Sequence, residues 1–73
     1  MYTLDTRALR SAMSERKMGP KGLSYALGCT DRAVNNYLHG RRQPNADMLT
    51  RMCVALDMPL LSLMRRSTDE LHH

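Results

Sequence analysis

The segment from Pro20 to Pro44 constrains the fold of this 73-residue chain more than any other. Its apolar residues form two groups with helical spacing, which are Leu23, Ala26 and Leu27, then Val34, Tyr37 and Leu38. Residues three and four positions apart lie on one face of a helix, so each group predicts an apolar stripe on a short helix. Gly28 and Gly40 stand where the two helices would end, and Cys29 lies in the turn between them. Two short amphipathic helices joined by a glycine-containing turn indicate a helix-turn-helix unit.

The outward positions of the second of these helices carry only polar side chains. These residues are Asp31, Arg32, Asn35, Asn36 and His39. All of them can form hydrogen bonds, and none requires burial. Because the second helix of such a unit usually enters the major groove of DNA, this face is predicted to contact base edges.

Positive charge is concentrated around the same unit. The chain has 11 Lys and Arg against 7 Asp and Glu, a net charge of +4. Residues 16–51 include seven basic and two acidic side chains, a net charge of +5, whereas the rest of the chain sums to −1. This distribution favours binding to phosphates, and a solvated basic surface without a partner is the alternative.

The chain is long enough for one domain with a small core. No segment alternates with the period of a strand, and no Asn-Gly or Asp-Gly turn occurs, so the predicted fold class is all-α. Five helices are predicted, the first from Thr3–Asp5 to about Lys17, then Pro20–Leu27, Thr30 to about His39, Ala46–Leu56, and a short helix from Pro59 to Met64. The predicted domain covers residues 1–66, and residues 67–73 are predicted to be a polar, disordered tail.

The remaining composition argues against other classes of site. Cys29 and Cys53 fall on apolar positions and are interpreted as small buried hydrophobes of a reducing compartment. Because there is no Cys-x-x-Cys pair and histidine occurs only at positions 39, 72 and 73, neither a metal nor another cofactor is predicted. No nucleophile–base pair suggests an enzyme, and no small-molecule ligand is expected. The chain has no signal peptide and no apolar run near 18 residues, so a cytoplasmic protein without membrane contact is predicted.

A family resemblance is carried by residues spread over the predicted helices and the loop after the third. They are Leu23, Leu27, Gly28, Val34, Tyr37, Gly40, Arg41, Pro44, Leu49, Met52, Leu56 and the segment 58–63. Their spacing holds from about residue 4 to residue 64 without an insertion. The chain thus resembles the phage repressor and Cro family, the xenobiotic-response-element-type regulators of bacteria and their phages. This resemblance implies a compact five-helix, lambda-repressor-like domain that binds double-stranded DNA and regulates transcription, most simply as a repressor.

The resemblance also assigns roles to individual residues. The positions that contact bases in the family correspond to Asp31, Arg32, Asn35 and Asn36. The positions that contact phosphates correspond to Lys21, His39, Arg41, Arg42 and Asn45. Arginine can bind guanine O6 and N7, asparagine can make two bonds to adenine, and aspartate can accept from cytosine N4. For Asp31 the alternative is a role as a negative charge at the positive end of the helix dipole.

Three positions depart from the family pattern. Pro20 replaces a glutamine that donates to phosphate, and Ser24 replaces the usual alanine of the second helix. An arginine of the first helix and a glutamate of the third are replaced by Met13 and Leu38, which are expected to touch. Because both partners of this ion pair have become apolar together, no charge is left buried without a partner.

A single recognition helix contacts only about four or five base pairs, too few for useful specificity. A homodimer on a palindromic operator is therefore predicted, with half-sites about 34 Å apart and an interface at Met58, Leu61 and Met64. Leu60 and Leu63 are instead expected to lie in the core. The alternative function is a protein-interaction module, such as an antitoxin or antirepressor, which would need neither the arginine loop nor an amide-rich third helix.

Overall fold

The computed structural model describes residues 2–66 and contains five helices and two short strands. The elements are β1 (Tyr2–Leu4), α1 (Thr6–Glu15), α2 (Pro20–Leu27), α3 (Asp31–Leu38), α4 (Ala46–Leu56), α5 (Leu60–Leu63) and β2 (Met64–Arg66). Helix α2 packs against α3 and α4, α1 against α3 and α5, and α4 against α5. The predicted five-helix architecture with the helix-turn-helix at α2 and α3 is confirmed. The predicted tail, residues 67–73, lies outside the described residues.

The core lies between all five helices and the end of β1. Its buried hydrophobic residues are Leu4, Leu9, Ala12, Met13, Leu23, Leu27, Val34, Tyr37, Leu38, Met52, Leu56 and Leu63. Within α2 the predicted stripe needs a correction, because Ala26 is exposed whereas Ser24 is buried. The two residues flank the Leu23–Leu27 stripe on opposite sides, and α3 packs on the side of Ser24.

A two-stranded antiparallel sheet forms where the two ends of the described chain meet. Thr3 lies opposite Arg65 in this sheet, and Leu4 lies opposite Met64. The expectation that the domain is all-helical therefore fails at these residues. Thr3 and Leu4 do not begin the first helix, and Met64 does not belong to the fifth. Strands of three residues are too short to show an alternating pattern, and their partner is at the other end of the chain.

Helix starts follow the local signals in the sequence. Asp5 caps α1 by accepting from the backbone N–H groups of Arg7 and Ala8, at 3.0 and 3.2 Å. Thr30 caps α3 and Asn45 caps α4 in the same way. Each cap satisfies backbone donors that have no partner within the helix.

Four helices end with the same backbone motif, in which one residue takes a left-handed conformation. These residues and their φ angles are Lys17 (53°), Gly28 (71°), Gly40 (69°) and Asp57 (50°). The N–H of the next residue then donates to a carbonyl five positions back, as in the 3.0 Å bond from Cys29 to Ser24. Glycine takes this conformation without strain, whereas a residue with a Cβ loses about 1–2 kcal/mol.

Lys17→Gly is expected to raise the free energy of unfolding by up to about 1 kcal/mol, because relief of strain exceeds the entropy that glycine adds to the unfolded chain. Gly28→Ala is the matched reverse change. A Cβ at Gly28 would meet only Arg51 Nη1 at 3.4 Å, so its expected loss of about 1 kcal/mol comes from the backbone. Urea unfolding measures both values, and a destabilising Lys17→Gly would contradict the left-handed conformation at that residue.

Candidate nucleic-acid interface

Helix α3 separates a buried face from a polar outer face. Val34, Tyr37 and Leu38 are buried against the other helices. At about 100° per residue, the five polar positions from Asp31 to His39 occupy an arc of about 140° on the other side. Four of these residues are exposed, and Asn36 is half-buried. The helix therefore presents a continuous hydrogen-bonding surface to the outside.

Arg32, Asn35 and Asn36 hold the centre of this surface. Within residues 2–66 their side chains form no hydrogen bond or ion pair with the protein. A guanidinium group has five N–H donors, and each carboxamide has two donors and an acceptor. These groups are therefore available to an external partner that offers both acceptors and donors.

Asp31 is exposed like its neighbours, but one of its carboxylate oxygens is already engaged. The hydroxyl of Ser24 lies 2.6 Å from Oδ1 of Asp31. Ser24 itself is only 5% exposed, so the bond is made at the inner edge of the helix-turn-helix. Asp31 also stands in the first turn of α3, where a negative charge is favourable.

His39 is bonded through one ring nitrogen to the backbone of its own helix. Its Nδ1 lies 2.8 Å from the carbonyl oxygen of Asn35. Because a carbonyl oxygen only accepts, Nδ1 carries the hydrogen and donates it. The Nε2 atom of the neutral ring then has no hydrogen, so it can donate to a phosphate only when the ring is cationic.

The remaining predicted phosphate-contacting residues lie at the start of α2 and in the loop between α3 and α4. Lys21, Arg41, Arg42 and Asn45 are all exposed. The backbone N–H of Arg41 donates to the carbonyl of Asn36 at 2.9 Å, which holds the start of the loop against the end of α3. Asn45 uses Oδ1 to cap α4 through the N–H of Met48, so only its amide N–H groups remain to bind a ligand.

Gln43 fixes this arginine loop to the other end of the domain. Its Oε1 accepts a hydrogen bond from the backbone N–H of Leu4 in β1 at 3.0 Å. The neighbouring Pro44 is buried. The sequence pattern indicated only a polar loop residue at Gln43, because its partner is 39 positions away and no local signal marks it. The loop that carries Arg41 and Arg42 is thus held at both ends.

Two arginines outside the predicted site hold the helices of the helix-turn-helix unit in place. Arg10 of α1 donates from Nη2 to the carbonyl of Leu38 at 2.8 Å, where it satisfies the last turn of α3. Arg51 of α4 donates from Nη1 to the carbonyl of Leu27 at 3.0 Å, at the end of α2. A cation at a helix C-terminus also interacts favourably with the helix dipole.

The residues expected to touch across α1 and α3 are both buried, Met13 at 5% and Leu38 at 7% exposure. Together with Arg10 they line a shallow cavity of about 220 Å³. An arginine of α1 therefore still bonds to the end of α3 in this protein. It does so one turn earlier than in the family, and to a backbone carbonyl instead of a glutamate.

Both cysteines are free and half-buried, so they are less enclosed than predicted. Burial raises the pKa of the Cys29 thiol; Asp31 adds to this rise and Arg51 opposes it. The thiol consequently stays protonated at neutral pH. Residues 2–66 contain no cluster of three or more side chains that could hold a metal ion. None of the helices described is both long and apolar enough to cross a bilayer.

A second exposed surface is apolar and lies on α4 and α5. This α4–α5 surface consists of Val54, Met58, Leu60 and Leu61. Val54 and Leu61 are each 77% exposed, and Leu60 is 47% exposed. The expectation of core packing is confirmed for Leu63 and is wrong for Leu60, because the four-residue helix α5 turns only one leucine fully inward. Next to this surface is a groove of about 440 Å³ lined by Cys53, Val54, Asp57, Met58 and Pro59.

Comparison with known proteins identifies the fold. No family model matches the chain, and no curated protein matches it in sequence. A solved structure described as "Crystal structure of a putative DNA-binding protein from Bacteroides fragilis" matches with a TM-score of 0.75 and 17% sequence identity. The match covers 89% of this chain and 100% of that chain. The two proteins thus share a compact, mainly helical fold in which the second and third helices pack together.

Proposed function

We propose that this protein is a sequence-specific regulator that binds double-stranded DNA with α3 in the major groove. The observation that carries this proposal is the outer face of α3, where Arg32, Asn35 and Asn36 have no partner within residues 2–66. The fold shared with a protein described as DNA-binding supports it. In sequence, the spacing across the helix-turn-helix and the arginine loop supports membership of the phage repressor and Cro family.

Each polar residue of α3 has a base contact that suits its chemistry. Arg32 would donate two hydrogen bonds to O6 and N7 of guanine. Asn35 or Asn36 would bind N6 and N7 of adenine, and Asp31 would accept from an exocyclic amino group. These contacts supply the sequence preference, because they reach base edges and not the uniform backbone.

The phosphate contacts would come from both sides of α3. Lys21 stands at the start of α2, His39 follows the last residue of α3, and Arg41, Arg42 and Asn45 follow in the loop. These contacts position the protein on the duplex and supply most of the affinity that depends on salt. The bonds that hold the loop at Asn36 and Leu4 would keep its arginines in place before DNA binds.

The protein would act as a homodimer on a palindromic operator. One α3 contacts too few base pairs for specific binding, whereas a two-fold dimer contacts two half-sites about 34 Å apart. The predicted interface residues Met58 and Met64 are half-buried and Leu61 is exposed. Val54 extends the same apolar surface and joins the proposed interface. Occupation of an operator near a promoter would exclude polymerase and repress transcription.

Selection of binding sites from a randomised DNA pool, read by sequencing, tests the base contacts. Arg32→Ala and Asn36→Ala are each expected to relax the preference at one position of the half-site, by about 1–3 kcal/mol. Arg7→Ala removes the same charge as Arg32→Ala from the exposed face of α1 and should leave the selected sequence unchanged. Identical selected sequences for all variants would show that α3 does not contact the bases.

The exposed α4–α5 surface favours a second candidate, a protein-interaction module on the same fold. In that case the wild-type protein would enrich no sequence from the pool. Val54 and Leu61 would then be the anchors of a partner protein, since large exposed apolar side chains mark such contacts.

A further inference from the structure

A buried serine connects the two helices of the helix-turn-helix unit. Ser24 is the only polar residue among residues 2–66 that is classed with the buried core. Its Oγ lies 2.6 Å from Oδ1 of Asp31 and 2.7 Å from the carbonyl oxygen of Lys21. The serine therefore touches the first residue of the proposed recognition helix from below.

The single hydroxyl hydrogen of Ser24 can be given to one acceptor at a time. A carboxylate forms the stronger bond, because a hydrogen bond to an ionised acceptor is roughly twice as strong as one between neutral groups. The carbonyl of Lys21 accepts the regular helical N–H bond in either case, so it is not left without a partner. We therefore assign the hydrogen of Ser24 to Asp31.

This bond restricts the carboxylate of Asp31. A free aspartate side chain changes between staggered rotamers and can swing toward the N–H groups at the start of its own helix. With Oδ1 held by Ser24, the carboxylate has a preferred orientation, and Oδ2 is the oxygen left for an external donor. The residue remains exposed, so this oxygen is accessible.

We infer that Ser24 is a positioning residue that sets the base preference at the position below Asp31, an inference that rests on the proposed function. Oδ2 can only accept hydrogen bonds, so it favours the exocyclic amino groups of cytosine N4 and adenine N6. It disfavours the acceptors O6 of guanine and O4 of thymine. The family pattern has alanine at Ser24, so an aspartate in such a protein would lack this restraint.

Asp31→Asn gives the sharpest test, because it changes the exposed group while leaving an acceptor for Ser24. The amide oxygen of the asparagine would take the serine hydrogen, and its N–H groups would then face the groove. The preference at this one position should change from cytosine or adenine to guanine or thymine. The change depends on Ser24, because without its hydroxyl the amide can turn either way.

The experiment compares sites selected from a randomised pool by the wild type, Ser24→Ala, Asp31→Asn and the double variant. Ser24→Ala should reduce the preference for cytosine or adenine by about three- to tenfold, the range for losing one hydrogen bond. Asp31→Asn should invert the preference, and the double variant should show little preference there. Other positions of the half-site should stay unchanged in all four proteins, and thermal unfolding verifies that each variant is folded.

The outcomes separate the inference from the proposed function. A wild type that enriches no sequence would disprove sequence-specific binding, and the inference with it. A clear selected site that is the same for wild type and Ser24→Ala would disprove the positioning role alone. An inverted preference in Asp31→Asn that persists in the double variant would also disprove it, since Ser24 would then not orient the side chain.

Discussion

Replacing both Arg41 and Arg42 with alanine is expected to weaken binding to every duplex DNA sequence to a similar degree. Both side chains are exposed and have no partner within residues 2–66, so they are free to bind phosphates. Each lost phosphate contact should lower the slope of log affinity against log salt by about 0.9 units. Two lost contacts would reduce affinity by roughly 60-fold at 0.1 M salt relative to the effect at 1 M.

Titration of labelled duplexes at several salt concentrations measures this slope. The matched control removes two other exposed arginines, Arg7→Ala with Arg66→Ala, and so changes the net charge equally. Its slope should stay close to that of the wild type, because these residues are not predicted to touch the duplex. An unchanged slope in the Arg41–Arg42 double variant would show that the loop does not contact the DNA backbone.

Met13→Arg is expected to cause the largest loss of stability, about 3 kcal/mol or more, because it places a charge in the core. Met13 is 5% exposed. The cavity beside it already contains Arg10, so the new guanidinium would also face a like charge. A domain of this size has only a few kcal/mol of net stability, so much of the variant would be unfolded.

Leu38→Glu is expected to be less harmful than Met13→Arg. Arg10 Nη2 lies 2.8 Å from the carbonyl of Leu38, so a cation is available to the new carboxylate. Combining the two changes would restore the ion pair of the family pattern. The double variant should exceed the stability predicted from the single losses by about 1–3 kcal/mol, the range for residues in contact. Urea unfolding of the four proteins measures this coupling, and additive losses would show that the side chains are not neighbours.

The local signals in the sequence were sufficient to place the helices. Helices α2 and α4 have the predicted bounds, because Pro20, Gly28 and Asn45 act on the backbone within one turn of where they stand. The outward position of the polar residues of α3 was likewise predictable. Burial of Val34, Tyr37 and Leu38 at helical spacing leaves the other positions outside.

Only the tertiary structure decided how these elements are joined. The β1–β2 pair, the bond from Leu4 to Gln43 and the bond from Arg10 to Leu38 connect residues far apart in the chain. Periodicity describes the faces of one helix, and it carries no information about which distant group meets a given side chain. The same limit applies within α2, where helical spacing alone could not distinguish the buried flank from the exposed one. Packing of α3 buried Ser24 and left Ala26 outside, and that choice placed a hydroxyl beside Asp31.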